Sequence, residues 1–221
     1  MNKNLLAALL LSTVFAATAV QAGTYDDLIS SAKMGDTSSI AELVQRGASV
    51  DTTDIEGNTL LMLAARDGHV DLVNYLIQQR AKLNARNSAG DTALRLAAFR
   101  GYLVVAQKLI AAGAYVNTPG WTPLAYAAFN GHLDIAKLLI SSGAEVNAAS
   151  ENGMSALMVA ARGGHMEIVR LLIDSKADLN MQTEQHETAV DLAAKNQHTD
   201  IVDLLRKNGG RSAKTAAIEI R

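Results

Sequence analysis

The sequence predicts an all-α protein, a solenoid of about six helix–turn–helix units. Two observations support this fold class. First, segments of similar sequence begin at intervals of 33, 30, 33 and 33 residues, at Gly57, Gly90, Gly120, Gly153 and His186. Second, each segment contains two runs of apolar residues at helical spacing, separated by a turn. A unit of this length cannot bury its apolar face alone, so neighbouring units must supply one another's core.

Each segment carries its own signal for the start of a helix. A Thr or Ser, residue types that cap helix N-termini, precedes each first apolar run, at Thr59, Thr92, Thr122, Ser155 and Thr188. Two successive alanines follow, and their small side chains allow close helix packing, at Ala64-Ala65, Ala97-Ala98, Ala127-Ala128, Ala160-Ala161 and Ala193-Ala194. The second runs, such as IVRLLI from Ile168, predict a second helix in each unit.

The second helix of a unit is expected to end at a residue in the left-handed conformation. Gly47, Gly113 and Gly143 supply it in three units. Arg80 and Lys176 replace this glycine in two others. Each replacement should cost up to about 1 kcal/mol if the left-handed conformation is kept.

The repeated pattern G-x-T-x-L-x-x-A-A-x-x-G-H-x-x-I-V-x-x-L-L resembles the ankyrin repeat over nearly all of the chain after residue 22. The resemblance implies paired antiparallel helices, a short β-turn finger at each junction, and a concave surface formed by the fingers and the first helices. We place the ankyrin-repeat domain at residues 23–210, with units at about 24–56, 57–89, 90–119, 120–152, 153–185 and 186–210. Residues 211–221 form a C-terminal tail, either a short helical extension or a disordered segment.

One junction between units is short. The stretch VNTPGWTPL, which leads into the fourth unit, has three residues fewer than LNARNSAGDTAL, which leads into the third. We therefore expect a truncated finger near Asn117–Gly120. A truncated finger would leave a notch in the middle of the concave surface.

The first 22 residues have the features of a secretory signal peptide. Lys3 gives a basic start, an apolar run extends from Leu5 to about Ala17, and small residues end the segment at Val20-Gln21-Ala22. Cleavage is expected after Ala22, with Ala19 as an alternative. A membrane anchor is disfavoured because the apolar run is shorter than the ~20 residues that a spanning helix needs. The mature chain is therefore expected to be periplasmic or secreted, without stable membrane insertion.

Composition and motifs argue against several functions. The formal net charge of −2 gives no reason to expect nucleic acid as a partner, and the chain has no cysteine for disulfides or thiol chemistry. His69, His132, His165 and His198 share one phase of the repeat. Stacked helices lie about 8–10 Å apart, so these histidines cannot share one zinc ion with ligands at about 2 Å. They are interpreted as turn residues held by backbone hydrogen bonds.

The sequence also lacks a recognisable catalytic constellation. It contains no phosphate-binding glycine loop and no G-x-S-x-G motif, and HETAV from His186 lacks the second histidine of H-E-x-x-H. We therefore predict no enzymatic activity, no cofactor and no metal site. An enzyme built on a repeat frame is the least favoured alternative.

The positions that vary between units indicate where a partner would bind. The resemblance implies that contact residues flank the finger glycine and follow the alanine pair. The large aromatic residues Phe99, Trp121 and Phe129 all fall at such positions in adjacent units, and arginines surround them. The predicted partner-binding residues are Arg66, Phe99, Arg100, Trp121, Phe129, Asn130, Met154 and Arg162. Alternatively, Trp121 braces its finger and Phe99 packs on the next helix. Tyr126 shares the phase of Leu63 and Leu96 and is expected in the core.

These observations predict a non-enzymatic module for protein–protein interaction in the bacterial periplasm. It is expected to be a monomer that presents a rigid surface to a protein partner. Two narrower roles stay open: an inhibitor or immunity protein of a secreted enzyme or toxin, and an accessory factor for a periplasmic stress-protection enzyme.

Overall fold

The computed structural model describes residues 24–213, and the predicted signal peptide and residues 214–221 lie outside this range. The all-α prediction is confirmed. Residues 24–34 are helical and are named α1. The helices that follow are α2 (Thr37–Gln45), α3 (Leu60–Asp67), α4 (Val70–Gln78), α5 (Ala93–Arg100), α6 (Leu103–Ala111), α7 (Pro123–Phe129), α8 (Leu133–Ser141), α9 (Ala156–Gly163), α10 (Met166–Asp174), α11 (Ala189–Lys195) and α12 (Thr199–Lys207).

The predicted capping residues start the first helix of each unit. In α7, for example, the Thr122 hydroxyl accepts a hydrogen bond from the backbone N–H of Ala125. Equivalent bonds are made by Thr59, Thr92, Ser155 and Thr188. Each bond satisfies a backbone donor that the helix itself leaves unpaired, which stabilises a helix start by about 1 kcal/mol.

The units stack in register. The first helices α3, α5, α7, α9 and α11 pack against one another in that order, and the second helices α4, α6, α8 and α10 form a parallel row. The alanine pairs lie between the first helices, and those of α3, α5, α7 and α9 are fully buried. In α11 Ala193 is buried but Ala194 is exposed, because no further unit packs on this end of the described chain.

The repeated histidines join each unit to the unit before it. The ring Nε2 of each donates to a backbone carbonyl of the preceding unit, in the pairs His69–Lys33 (2.9 Å), His132–Phe99 (3.1 Å), His165–Phe129 (3.0 Å) and His198–Arg162 (3.1 Å). The interpretation as turn histidines held by backbone hydrogen bonds is confirmed. The bonded carbonyls belong to the last turn of a first helix, so each histidine fixes the end of the first helix of the preceding unit.

A turn glycine of the preceding unit lies against each histidine ring and leaves room for this contact. A Cβ on Gly131, which has φ +76°, would lie 2.8 Å from the His165 ring. We predict that Gly131→Ala lowers the free energy of unfolding by about 2–3 kcal/mol, from left-handed strain and loss of the His165–Phe129 hydrogen bond. Gly143 is the matched control, since it has φ +87° and a Cβ added there would meet no atom within 4 Å.

Gly143→Ala should therefore cost only the conformational strain, about 1–2 kcal/mol. Chemical denaturation of both variants separates the two contributions. Equal losses of stability would contradict a role for the histidine in coupling the units.

Two non-glycine residues adopt the left-handed conformation where the sequence predicted it. Arg80 has φ 61° and Lys176 has φ 64°, and both end a second helix. His186 occupies the place of a finger glycine and has φ 58°. The repeat geometry is therefore kept at these positions even though their side chains disfavour it.

Most fingers close with a backbone hydrogen bond across the turn, and one junction does not. The N–H to carbonyl pairs are Asp54–Asn58 (2.9 Å), Asn87–Asp91 (3.1 Å), Ser150–Met154 (3.0 Å) and Thr183–Glu187 (3.0 Å). Among the described residues, the short junction at 117–121 has no such pair. Instead, Asn117 donates through Nδ2 to the carbonyl of Gly143 at 2.9 Å.

The short finger leaves the predicted notch. A cavity of about 460 Å³ extends from residues 86–90 of the preceding finger to Ser150 and Asn152 of the following finger, with Pro119, Gly120 and Trp121 between them. A second cavity of about 370 Å³ lies on the other side of the short finger, beside Thr118 and Glu145.

The end of the described chain is held to the last unit. Asp191 accepts hydrogen bonds from the Ser212 hydroxyl and the Ala213 backbone N–H, as well as from Thr188 at the start of α11. Burial raises the pKa of Asp191, but these hydrogen bonds outweigh burial and leave its pKa below the usual value. The ionised carboxylate thus ties the first tail residues to the final helix pair.

Candidate protein-binding site

Four aromatic side chains from two adjacent units form a continuous row, which we name the ring cluster. It consists of Phe99, Tyr126, Trp121 and Phe129. The ring centroids of Phe99 and Tyr126 are 5.5 Å apart, those of Tyr126 and Trp121 are 5.5 Å apart, and those of Trp121 and Phe129 are 5.9 Å apart. Two of the three contacts are edge-to-face, an arrangement that favours ring association beyond simple burial.

The local fold explains how these rings meet. Phe99 and Phe129 follow the alanine pairs of α5 and α7, so they occupy equivalent places in neighbouring units. Tyr126 lies one helical turn before Phe129 and faces the same side of α7. Trp121 directly precedes the capping residue Thr122, and the short finger brings its indole over both α7 rings.

The ring cluster is accessible. Phe129 is 40% exposed, whereas Phe99, Trp121 and Tyr126 are half-buried. Part of the Trp121 side chain packs against the hydrophobic core, and Phe99 contacts Tyr126 of the next first helix. The alternative roles, in which Trp121 braces its finger and Phe99 packs on the next helix, are therefore both fulfilled in part. Each ring of the cluster still presents surface to solvent.

Tyr126 belongs to the ring cluster, so its expected place in the core was wrong. Its ring is half-buried at the centre of the row, and its hydroxyl lies 3.4 Å from Oδ1 of Asp91. Burial, followed by the charge of Asp91, raises the pKa of Tyr126, so the hydroxyl stays protonated at neutral pH. Leu96, at the same phase of the preceding unit, is also only half-buried.

Arginine side chains lie over three of the four rings. The guanidinium carbon of Arg100 is 5.8 Å from the Phe99 centroid, that of Arg162 is 5.8 Å from the Phe129 centroid, and that of Arg95 is 5.4 Å from the Tyr126 centroid. Contacts of this kind stabilise by about 0.5–1 kcal/mol at exposed sites. They also hold the long side chains of Arg100 and Arg162 against the cluster, although Arg100 is exposed.

Arg95 was not among the predicted site residues, yet it lies beneath the cluster. Only 6% of its surface is exposed. Its Nη1 donates to the Gly90 carbonyl at 2.6 Å, and its Nε lies 3.4 Å from Oδ1 of Asp91. This Nε is buried and makes no hydrogen bond that satisfies normal geometry. The finger therefore fixes a buried guanidinium between the ring cluster and the notch.

Arg66, which belongs to the second unit, is a further basic residue close to Phe99 and Arg100. Its Nε and Nη2 form a two-point contact with the carboxylate of Asp67, at 3.0 and 2.8 Å. Hydrogen bonding to Arg66 holds the pKa of Asp67 below its usual value. Arg66 also lines a cavity of about 170 Å³ beside Phe99, which we name the Phe99 cavity.

Two predicted residues have structural roles. The Asn130 amide donates to the carbonyls of Phe99, at 3.0 Å, and Tyr126, at 3.3 Å, so it links α5 to the end of α7. Met154 is only 7% exposed and packs in the hydrophobic core. The assignment of Met154 to the partner surface was therefore wrong, because its apolar side chain turns inward ahead of the start of α9.

Two further properties bear on function. In the part of the chain that the structure describes, no group of three or more His, Cys, Asp or Glu side chains could hold a metal ion. Within residues 24–213, no helix has the length and apolar character to cross a membrane.

Comparison with protein families identifies the fold. Residues 28–119 and 145–215 match the family described as ankyrin repeats (3 copies), and residues 119–151 match the family described as ankyrin repeat. The chain belongs to the ankyrin repeat family, as the sequence pattern indicated. No curated protein matches the chain.

A solved structure gives a more specific likeness. It is the complex of the predatory endopeptidase Bd0816 from Bdellovibrio bacteriovorus with the immunity protein Bd3460. The immunity protein is 32% identical to this chain, with a TM-score of 0.74. The match covers 82% of this chain and 97% of the other.

Proposed function

We propose that this chain is an immunity-type inhibitor that binds a peptidase of its own cell and blocks that peptidase. The ring cluster is the observation that carries the proposal, because it brings Phe99, Phe129 and Trp121, the phenylalanines and the tryptophan of residues 24–213, to one partly exposed surface. The likeness to Bd3460, an immunity protein in complex with an endopeptidase, supports the choice of a peptidase as partner.

The chemistry of the ring cluster suits recognition. Binding hot spots are enriched in aromatic residues and arginine, and they lie in well-packed patches surrounded by weaker contacts. Here exposed aromatic surface adjoins Arg100 and Arg162, and hydrogen bonds from His132 and His165 fix the carbonyls of Phe99 and Phe129. The surface is thus largely formed before the partner arrives, which reduces the entropy lost on binding.

The proposed place of action is the periplasm. The predicted signal peptide would export the chain to the compartment in which a secreted peptidase first becomes folded and active. The mature chain has no cysteine, so its fold does not depend on disulfide formation there. A monomer acting as a one-to-one inhibitor is sufficient for this role.

The proposal is tested by capture followed by an activity assay. Immobilised mature chain is incubated with periplasmic extract from the source organism, and a retained protein is identified and purified. We expect it to be a peptidase whose activity falls to background at a one-to-one ratio with the chain. Retention of an enzyme whose activity rises on binding would favour the accessory role. Retention of a peptidase that stays fully active would contradict inhibition.

A further inference from the structure

We propose that the Phe99 cavity receives a carboxylate side chain, Asp or Glu, from the partner. This inference rests on the proposed function, since it specifies which partner chemistry the same surface recognises. The cavity measures about 170 Å³, which suits one side chain rather than a folded segment. Its lining includes the arginines Arg66, Arg95 and Arg100 and the aromatic residues Phe99 and Tyr126.

The charge of this cavity is positive. Three guanidinium groups line it, against the single carboxylate of Asp91. Asp67 pairs with Arg66, and Asp91 pairs with Arg95, which leaves Arg100 without an ion pair among the described residues. Arg100 is also exposed at the rim and held over the Phe99 ring. An incoming carboxylate would therefore find one cation already positioned outside any ion pair, with Asp67 acting on it only at longer range.

Arg95 provides a second reason to expect an anion. Its guanidinium is nine-tenths buried, and its Nε has no well-aligned hydrogen-bond acceptor. The Asp91 carboxylate compensates this Nε only in part, because its Oδ1 lies 3.4 Å away and is poorly aligned, and a carboxylate is the acceptor that a guanidinium prefers. The Gly90 carbonyl and the Tyr126 ring hold Arg95 in place, so little side-chain entropy is lost when an anion approaches.

The apolar walls define the rest of the ligand. Leu96, Phe99 and Tyr126 would contact the methylene groups of a Glu or an adjacent aliphatic residue. A nucleic acid is a poorer fit, because the chain has a net charge of −2 and Asp67 and Asp91 already neutralise two of the arginines. We therefore favour an acidic segment of a protein that carries an apolar residue beside the acidic one.

The chain contains its own reporter for this site. Its only tryptophan, Trp121, contacts Tyr126 within the ring cluster. The test uses the mature chain and two blocked peptides, N-acetyl-Leu-Glu-Leu-amide and N-acetyl-Leu-Lys-Leu-amide. Side-chain N–H signals of Trp121, Arg95 and Arg100 are followed by nuclear magnetic resonance during titration. We expect saturable shifts with the Glu peptide and no saturable shift with the Lys peptide.

Two variants test whether the Glu peptide binds at the Phe99 cavity. Arg100→Gln should weaken binding of the Glu peptide about tenfold, since a charged hydrogen bond is lost. Arg170→Gln is the control, because Arg170 lies in the same unit as Arg162 but on the second helix α10, paired with Glu167. It should leave the affinity unchanged. An equal response to both peptides, or an unchanged affinity in Arg100→Gln, would overturn the proposal.

Other occupants would give different results. A single-stranded oligonucleotide that shifts the same signals at lower concentration than the Glu peptide would contradict the assignment to a protein carboxylate. Shifts that depend on protein concentration without peptide would indicate a second copy of the chain and would also contradict it. If the Glu peptide binds but no peptidase is captured, the proposed function fails and the cavity assignment stands. If the peptidase is captured equally well by Arg100→Gln, only the cavity assignment fails.

Discussion

Replacement of Phe99 and Phe129 together by Ala is expected to abolish capture of the protein partner. Truncation of an aromatic hot-spot residue commonly costs at least 2 kcal/mol, so the double variant should bind at least about 100-fold more weakly. These two residues form the ends of the ring cluster, and arginines that border the site rest on both rings. The dissociation constant for the captured partner, measured by calorimetry or interferometry, checks the prediction.

The stability of this double variant separates a binding role from a packing role. Phe129 is 40% exposed and Phe99 is half-buried, so helicity and the melting temperature should change little. Tyr115→Ala is the matched control, because Tyr115 is 65% exposed and lies outside the cluster, and its loss should not affect capture. A double variant that unfolds would show that the rings belong to the core, and the site assignment would fail.

Leu139→Ala is expected to lower the free energy of unfolding by about 2–5 kcal/mol. Leu139 is fully buried in α8, in the unit that contains Trp121, and truncation there removes apolar contacts and leaves a cavity. Units of a solenoid contact only their neighbours, so a weak central unit uncouples the two ends of the stack. We therefore expect Trp121 fluorescence and far-ultraviolet circular dichroism to report different midpoints in urea, unlike in the natural chain.

Leu138→Ala provides the control within the same helix. Leu138 is only partly buried, so its truncation should cost about half as much, in line with the smaller apolar area that it removes from water. The two probes should then give one midpoint. Coincident midpoints in Leu139→Ala as well would contradict the view that the central unit couples the ends of the stack.

The fold could be predicted from sequence because its signals are local and repeated. Capping residues, alanine pairs and helical periodicity recur in each unit, so one misread segment cannot change the architecture. The turn histidines were also predictable, because their shared phase excluded a common metal ion. Their exact acceptors depend on the packing of adjacent units, which the sequence does not display.

The errors at Met154 and Tyr126 have a common physical cause. Both residues belong to the start of a first helix, where the residue before the cap tends to pack against the fourth residue after it. Met154 precedes the cap Ser155 and is buried. Trp121 precedes the cap Thr122, and Tyr126 is the fourth residue after that cap, so their contact follows the same rule. Attention to this local motif would have placed Tyr126 beside Trp121.

The burial of Arg95 beneath the ring cluster could not be predicted from the sequence. Its burial depends on the carbonyl of Gly90 in the finger and on the ring of Tyr126 from the next unit. The contact with Tyr126 does not follow from residue spacing within one repeat. A buried arginine of this kind becomes visible only when the finger and the neighbouring helix are positioned.

The central claim, that the partner binds at the ring cluster, is tested most directly by photo-cross-linking from a single position. p-Benzoylphenylalanine is introduced in place of Phe129 and, in a separate chain, in place of Tyr115, which is more exposed. On irradiation with the purified partner, we expect a covalent complex from position 129 and none from position 115. Cross-linking from position 115 but not from position 129 would contradict the account.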